Sequence, residues 1–288
     1  MRKKTIMIDW HNIMYRNLYI AYKNMLIDDN YGGWKHLMTK TILDYVLKFK
    51  PDRVVIAIDS KSWRKKVYPE YKAQRLDARK ASLIDYEQFY KVNDGFVEEL
   101  KKVFPNFYWM RVKDSECDDI VAILTKERDL GDITIVSSDK DFIQLLKFEG
   151  VKIFSPCAAD YLESLNPLTD LDVKIIMGDS GDNIPAILPK TGPVKATKYF
   201  NEGILYDDKQ PDEVKENIKR NRLLISFEEI PEDVKKSVLN TFDSIRLESF
   251  GYMKFLEFCV TNSLKKIKDD FALYTESIKH LTTEVLNA

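Results

Sequence analysis

The chain has 288 residues and is 44% hydrophobic, which is ample for a sizeable core in one domain or one domain plus an appendage. Its 45 basic and 46 acidic side chains nearly cancel, to a formal −1, so total charge identifies no anionic partner and only local clusters can. Cys117, Cys157 and Cys259 lie far apart with no CxxC pair, which argues against a zinc site or a disulfide framework and fits a reducing compartment. The opening "MRKKTIMIDW" meets Asp9 too early for a secretory signal, and no stretch approaches the roughly 20 apolar residues of a membrane helix. A soluble intracellular protein is expected.

In chain order, "KTIMID" (4–9) is a short apolar run of the buried-strand type and closes on Asp9. Helical patterns follow over 12–25 and 33–49. "RVVIAID" (53–59), rich in β-branched residues, predicts a second strand that closes on Asp59. The segment 61–84 is strongly basic, and a helix follows over 85–103. "NFYWMRV" (106–112) predicts a third strand. "SECDD" then opens a helix over 118–130, with Glu116, Asp118 and Asp119 at its start. "DITIVSS" (132–138) is the fourth strand, followed by Asp139, Asp141 and a short helix; "VKIFS" (151–155) is the fifth. Beyond about residue 168 only helices are predicted, over 169–177, 194–206, 212–225, 231–242, 248–264 and 269–286. The class is therefore α/β: a mostly parallel twisted sheet with helices on both faces over 1–168, then a smaller all-helical part over 169–288.

In such sheets, ligands bind beyond the carboxyl ends of the strands. Each acid there has an ordinary reading alone, as a turn residue or a helix cap. Together they would repel, and each would resist ionising beside its neighbours. Cations make such a cluster tolerable, and carboxylate oxygens without His or Cys select hard divalent ions such as Mg²⁺ or Mn²⁺. "IMGDSGDNIP" (176–185) adds Asp179 and Asp182, with Gly178 and Gly181 easing tight turns.

The basic segment holds Lys61, Arg64, Lys65, Lys66, Lys72, Arg75, Arg79 and Lys80. In a helix after Pro69, Lys72, Arg75 and Arg79 fall at i, i+3 and i+7 as one stripe, and Tyr68 and Tyr71 offer faces for base stacking. Alone, this reads as a solvated basic helix. Beside an acidic metal site, it is the positive charge that a phosphodiester needs. In "PKTGPVKATKYF" (189–200), Gly192-Pro193 forms a turn before a helix whose N-terminus, with Lys190, Lys195 and Lys198, suits a phosphate. His11, His36 and His280 are read as structural, and Trp34, Trp63 and Trp109 as packing.

"IMIDWHNIMYR", "VVIAIDS", "YKAQR", "ECDDIVAIL", "VSSDKDFIQLL" and "MGDSGDNIP" resemble, in order and rough spacing, the motifs of the 5′-nuclease (flap endonuclease) family. The closest likeness is to its phage ribonuclease H / 5′-exonuclease branch, which "NRLLISFEEIP" (221–231) echoes weakly. The resemblance implies a PIN-like nuclease core with two Mg²⁺, for which Mn²⁺ substitutes. It places Asp9, Asp59, Glu116, Asp118 and Asp139 around the first metal, and has Asp119, Asp141, Asp179 and Asp182 shape the second metal site, directly or through water. Arg16, Lys72 and Arg75 match cations at the scissile phosphate. Residues 61–84 correspond to a helical arch, with Arg64, Lys65, Lys66 and Arg79 as further nucleic-acid contacts. Residues 176–200 correspond to a duplex-gripping helix-turn-helix variant that includes Lys190, Lys195 and Lys198.

The sequence departs from the family at Trp10, where Gly is usual, and at Cys117, where Ala is common. Lys190-Thr191-Gly192 also replaces Gly-Ile-Gly, so the ion that some relatives hold there is not carried over. The implied substrates are DNA and RNA–DNA hybrid with a 5′ end or flap, cut to leave 5′-phosphates during replication and repair. A monomer in the cytoplasm, with no membrane contact, is expected, and a single-stranded-DNA-binding or other replication protein is a candidate partner. The rival readings are a PIN-type ribonuclease, a haloacid-dehalogenase-type phosphatase and a non-catalytic DNA-binding scaffold. His11 stands where the phosphatase needs its second acid, and a scaffold is expected to have lost acids that are all present here.

Overall fold

The computed structural model describes residues 2–28, 30–279 and 281. β1 (Lys4–Asp9) runs straight into α1 (Trp10–Lys23), and α2 (Gly32–Phe49) follows. After β2 (Arg53–Ile58) come two short helices, α3 (Arg64–Val67) and α4 (Gln74–Lys80), and then α5 (Tyr86–Val103) and β3 (Tyr108–Arg111). α6 (Cys117–Glu127), β4 (Asp132–Val136), a 3₁₀ segment (Lys140–Lys147), β5 (Val151–Ser155) and β6 (Asp160–Leu162) complete the sheet. The rest is helical: α7 (Pro167–Met177), α8 (Pro193–Asn201), α9 (Asp212–Ile225), α10 (Glu232–Ser244), α11 (Tyr252–Thr261), α12 (Lys265–Asp269) and α13 (Phe271–Lys279).

The strands lie in the order β3-β2-β1-β4-β5-β6. The first five are parallel, as their apolar runs predict, and β6 returns antiparallel to β5. β6 is too short and too exposed to leave a periodic trace, and a turn with Ala159 at φ 56° creates it. Strand order reverses between β1 and β4, so a crevice opens there beyond their carboxyl ends.

Alternation along β1 separates two cores. Ile6 and Ile8 pack with α1, α2 and α5, whereas Met7 packs with α6. The helical tail covers both faces. Val234, Val238 and Phe242 of α10 join the Met7 side, and Phe255, Phe258, Tyr274 and Ile278 of α11 and α13 join the other. Residue 168 thus marks a change of secondary structure and not a gap in the core.

Several predicted helices end differently. The 194–206 helix stops at Asn201, because Gly203 takes φ 75° and a 3₁₀ turn follows. The predicted 269–286 helix is α13, with α12 before it; its last residues and His280 lie outside the described residues. Among the described residues, no helix is long and apolar enough to cross a membrane.

Trp10 explains one departure from the family pattern. It is fully buried, donates its indole N–H to Asn93 Oδ1 at 2.9 Å, and meets Trp109 edge-on at 6.1 Å. This pins the start of α1, and with it Asp9, to α5. Trp10→Ala is expected to destabilise the protein by about 3–5 kcal/mol in denaturant titrations, through the cavity and the orphaned Asn93. A loss below about 1 kcal/mol would show that Trp10 anchors nothing.

Candidate active site

Asp9 ends β1 and caps α1, accepting from the Asn12 N–H at 3.0 Å. Ser137, just past β4, donates its hydroxyl to Asp9 at 2.9 Å and accepts the Asp139 N–H at 3.1 Å. The two acids at the switch point are therefore held through one serine. Asp59, one residue past β2, accepts the Cys117 N–H at 2.7 Å, which ties β2 to the start of α6. The Cys117 thiol hydrogen-bonds to Asp9 and lies within the fields of Asp9, Asp59 and Asp118. His11 accepts the Asp59 N–H through Nδ1 and, being buried, has its pKa lowered. That is a structural role, as the sequence suggested.

Glu116 caps α6 and collects the cations. Arg64 Nη1 lies 3.2 Å away and Ser62 Oγ 2.7 Å, Tyr71 donates at 3.0 Å, and the Lys72 ammonium pairs with Oε1. Two groups of carboxylates, Glu116–Asp118–Asp119 and Asp141–Asp179–Asp182, each place one oxygen per residue within 4.8 Å of the others. The second group forms because Gly178, at φ 71°, turns α7 into the Asp179–Ile184 bridge. A Cβ on Gly178 would meet the Ile184 carbonyl at 2.4 Å. Lys72 spans the two groups: its ammonium pairs with Glu116 and lies 3.6 Å from Asp182, and its N–H donates to the Asp182 carbonyl at 2.9 Å. Arg75 adds a 2.6 Å pair to Asp182, and Gln74 donates to the carbonyls of Ser180 and Gly181. The base of the basic segment and the GDSGDN loop are thus laced together.

Four sequence expectations are corrected. Arg64, expected to face nucleic acid, is buried at 1% exposure; it pairs with Asp119 at 2.9 Å and donates Nε–H to the Leu224 carbonyl. Asp119, expected to shape the second metal site, stands with Glu116 in the first group and is fully buried. Its oxygens are taken by Arg64, by the Trp63 indole and by the Glu116 N–H in a capping box. Tyr71, expected to offer a stacking face, is buried and donates to Glu116 and Asp182. Lys72 does not share a helix with Arg75 and Arg79: it sits at φ 55°, and α4 begins only at Gln74. The carbonyl of Asp182 and the two acids hold this left-handed turn in place. Lys66 pairs with Asp114 on the surface, and Lys65 is exposed.

Arg79 is held by tyrosines. It donates to Tyr15 at 3.0 Å and lies 5.4 Å from the Tyr90 ring centre. Arg16 contacts Asn17, next to Thr41 on α2. Lys190 and Lys195 stand at the start of α8, with Lys195 donating to the Lys190 carbonyl, whereas Lys198 lies in its last turn and pairs with Glu202 at 3.7 Å. Lys174, Ser62 and Ser137 escaped the sequence reading. For Lys174 the only signal was a cation in the last turn of the helix that leads into Asp179.

Burial, and after it the neighbouring charges, set the ionisation. Burial, then the charges of Asp59 and Asp139, push Asp9 up to about 7. Burial likewise carries Asp118 well above the carboxylate range. Glu116 goes the other way: Lys72 and Arg64 outweigh burial and hold it at about 2. Burial would lower the Lys72 ammonium, but Glu116 and Asp182 raise it, so it stays charged.

A parallel sheet with carboxylates gathered at its switch point, and a basic strap laced to them, defines a nuclease of the acidic-site type. The sequence profile of the 5′-3′ exonuclease N-terminal, resolvase-like domain matches residues 4–171, and the chain belongs to that family. Ribonuclease H of Enterobacteria phage T4 is 28% identical over 262 residues, covering 81% of this chain and 84% of that protein. DNA polymerase I of Streptococcus pneumoniae R6 is 30% identical over 250 residues, and the match spans 27% of that longer protein. Among solved structures, the bacteriophage T5 flap endonuclease, described as a pseudo-enzyme-product complex with DNA and metal ions, aligns with TM-score 0.66 at 20% identity. That alignment covers 84% of this chain and 100% of its own. A flap endonuclease from Methanococcus jannaschii aligns with TM-score 0.55 at 15% identity, over 99% and 93% of the two chains. These structures share the fold.

Two predictions follow from the electrostatics. Arg64→Ala leaves Asp119 buried without its cation, and about 3–5 kcal/mol of stability should be lost by denaturant titration. Lys65→Ala should lose less than about 0.5 kcal/mol; equal losses would show that Arg64 is not a buried tie. The second concerns pH. Without a divalent ion, Asp9 binds its proton up to about pH 7 when folded, against 3.8 as the ordinary value. The folded state therefore holds more protons in that window, so the Asp9 contribution to stability declines as pH rises from about 4 to 7. The thermal midpoint of chelator-treated protein should fall over that range, and Asp9→Asn should flatten the fall. An unaltered slope in the variant would place the repulsion elsewhere.

Proposed function

We propose that the protein is a Mg²⁺-dependent 5′→3′ nuclease. It hydrolyses phosphodiester bonds at the 5′ ends of RNA–DNA hybrid, duplex and flap DNA, and leaves 5′-phosphates. The observation that carries this reading is Lys72, rooted at the base of the basic segment with its ammonium reaching both acid groups. The donor set fits hard divalent ions: it offers oxygens only, and beside it burial together with the charges of Asp59 and Asp139 raises the Asp9 pKa. Asp9, Asp59, Glu116, Asp118 and Asp139 would hold a first ion, and Asp141, Asp179 and Asp182 a second, with Mn²⁺ able to substitute. Two such ions supply the pull on the scissile phosphate and the acidified water that in-line hydrolysis requires.

The chain's own residues do the rest. Lys72 and Arg75 leave Glu116 and Asp182 for the phosphate oxygens, where charge grows in the transition state, and Arg16 assists from α1. Lys65, Lys66 and Arg79 guide the single-stranded 5′ end along the arch. Lys190, Lys195 and Lys198 grip the duplex backbone, which carries no base information, so sequence is ignored. Residues 1–168 are the nuclease core and 169–288 the duplex-holding part. Primer removal during phage replication and repair, in the cytoplasm of the host cell, is the biological setting this chemistry suits. A single-stranded-DNA-binding or other replication protein is the partner class to test.

Paired 5′- and 3′-labelled flap, nick and hybrid substrates, with Mg²⁺ and with EDTA, test the reading. Cleavage should be metal-dependent and tied to the 5′ end; cutting in EDTA, or indifference to the 5′ end, overturns it. Asp139→Asn should slow cleavage by orders of magnitude with the fold intact. Lys72→Ala should lower turnover more than binding. If about five phosphates are neutralised, log affinity for duplex should fall against log salt with a slope of roughly −4 to −5.

A further inference from the structure

The two acid groups differ in one respect. Arg64 and Lys72 pair with Glu116 and Arg64 with Asp119 in the first, but among the described residues Asp9 and Asp139 beside it, which share Ser137, pair with no Lys or Arg side chain. In the second, one lysine joins two of the three acids. Lys174, in the last turn of α7, pairs with Asp141 and lies 2.9 Å from Asp179 Oδ2, so its ammonium sits where an ion bridging those two carboxylates would sit. The helix that carries it packs against the 3₁₀ segment bearing Asp141, which fixes Lys174 at the site.

The same helix offers Lys174 a second position. Asp170 stands one turn earlier, at i−4, and is exposed. Acid-before-lysine at this spacing is the favourable orientation for a helical ion pair. Asp170, Lys174, Asp141 and Asp179 all line one cleft of about 820 Å³, and Asp170 accepts the Ser164 hydroxyl there.

We propose that Lys174 is the resident counter-ion of the second acid group. It competes with the divalent ion for Asp141 and Asp179, and it withdraws along α7 to Asp170 when that ion enters. Asp9 and Asp139, with no lysine or arginine partner among the described residues, take an ion first; the second group fills late and weakly. An ion entering the second group must displace a charge already bonded to its ligands, whereas beside Asp9 and Asp139 it relieves repulsion that no lysine or arginine pair offsets. Lys174 is thus a positioning residue that sets the order of metal loading, and this rests on the two-ion reading above.

Direct Mn²⁺ titration of the full chain without nucleic acid, by calorimetry with free Mn²⁺ counted by electron paramagnetic resonance, tests it. Wild type should show one tight and one weak event. Lys174→Met should tighten the weak event about tenfold or more and leave the tight one unchanged. Lys174→Arg should keep it weak, and Asp170→Asn should weaken it further by removing the alternative partner. Two events in Lys174→Met against one in wild type would support the same conclusion. Unchanged or weaker second binding in Lys174→Met overturns the proposal, because a merely structural lysine would give that result; two ions still bound would leave the two-ion nuclease standing. If no variant binds a second Mn²⁺ at any concentration, the two-ion reading falls together with the proposal.

Discussion

Carboxylates forced together repel, and the architecture around the sheet's carboxyl edge answers that repulsion. β1 and β4 converge on the switch point with Asp9 and Asp139, β2 brings Asp59, and α6 begins on Glu116 and Asp118. None of these acids can retreat, because each is fixed by backbone within a residue or two of a strand or helix end. The molecule instead supplies hydrogen-bond donors, including Ser137, the Cys117 N–H and the Asn12 N–H, and two kinds of cation.

The cations divide by mobility. Arg64 is entombed between Asp119, Glu116 and the Leu224 carbonyl; it joins the sheet to α9 and has no path to substrate. Lys72 and Arg75 stand at the border of a segment with few apolar anchors, and their acidic partners are also the residues that would hold metal. On the function proposed above, those pairs would give way to a phosphate and its metals. Guanidinium geometry favours the buried multidentate pairing of Arg64, and Lys72 offers a compact, flexible ammonium instead.

The departures at Trp10 and Cys117 show how a site tolerates unusual neighbours. Trp10 points away from the acids into the α5 core, so its bulk serves anchoring. Cys117 contributes backbone to Asp59 and its thiol to Asp9, which a small side chain allows. Shared fold with the phage and archaeal flap endonucleases extends over most of the chain, at identities where packing detail is free to change.

By itself, the sequence determined the first five strands, their parallel arrangement and the acids at their ends, but not the antiparallel β6. Apolar β-branched runs make buried strands wherever they occur, and a residue just past a strand end has nowhere to go but that edge. It also determined the GDSGDN turn, because Gly178 alone fits the approach to Ile184. Tertiary structure decided which charges meet. Arg64 and Lys72 are equivalent in a basic run, yet one is buried against a carbonyl 160 residues away and the other bridges two acid groups. Asp119 and Asp118 are neighbours in one acidic motif, yet one caps and pairs inside the core. Lys174 looked like an ordinary helix-end cation until α7 packed against the Asp141 segment. Partners distant along the chain are chosen by packing, which no local pattern of residues encodes.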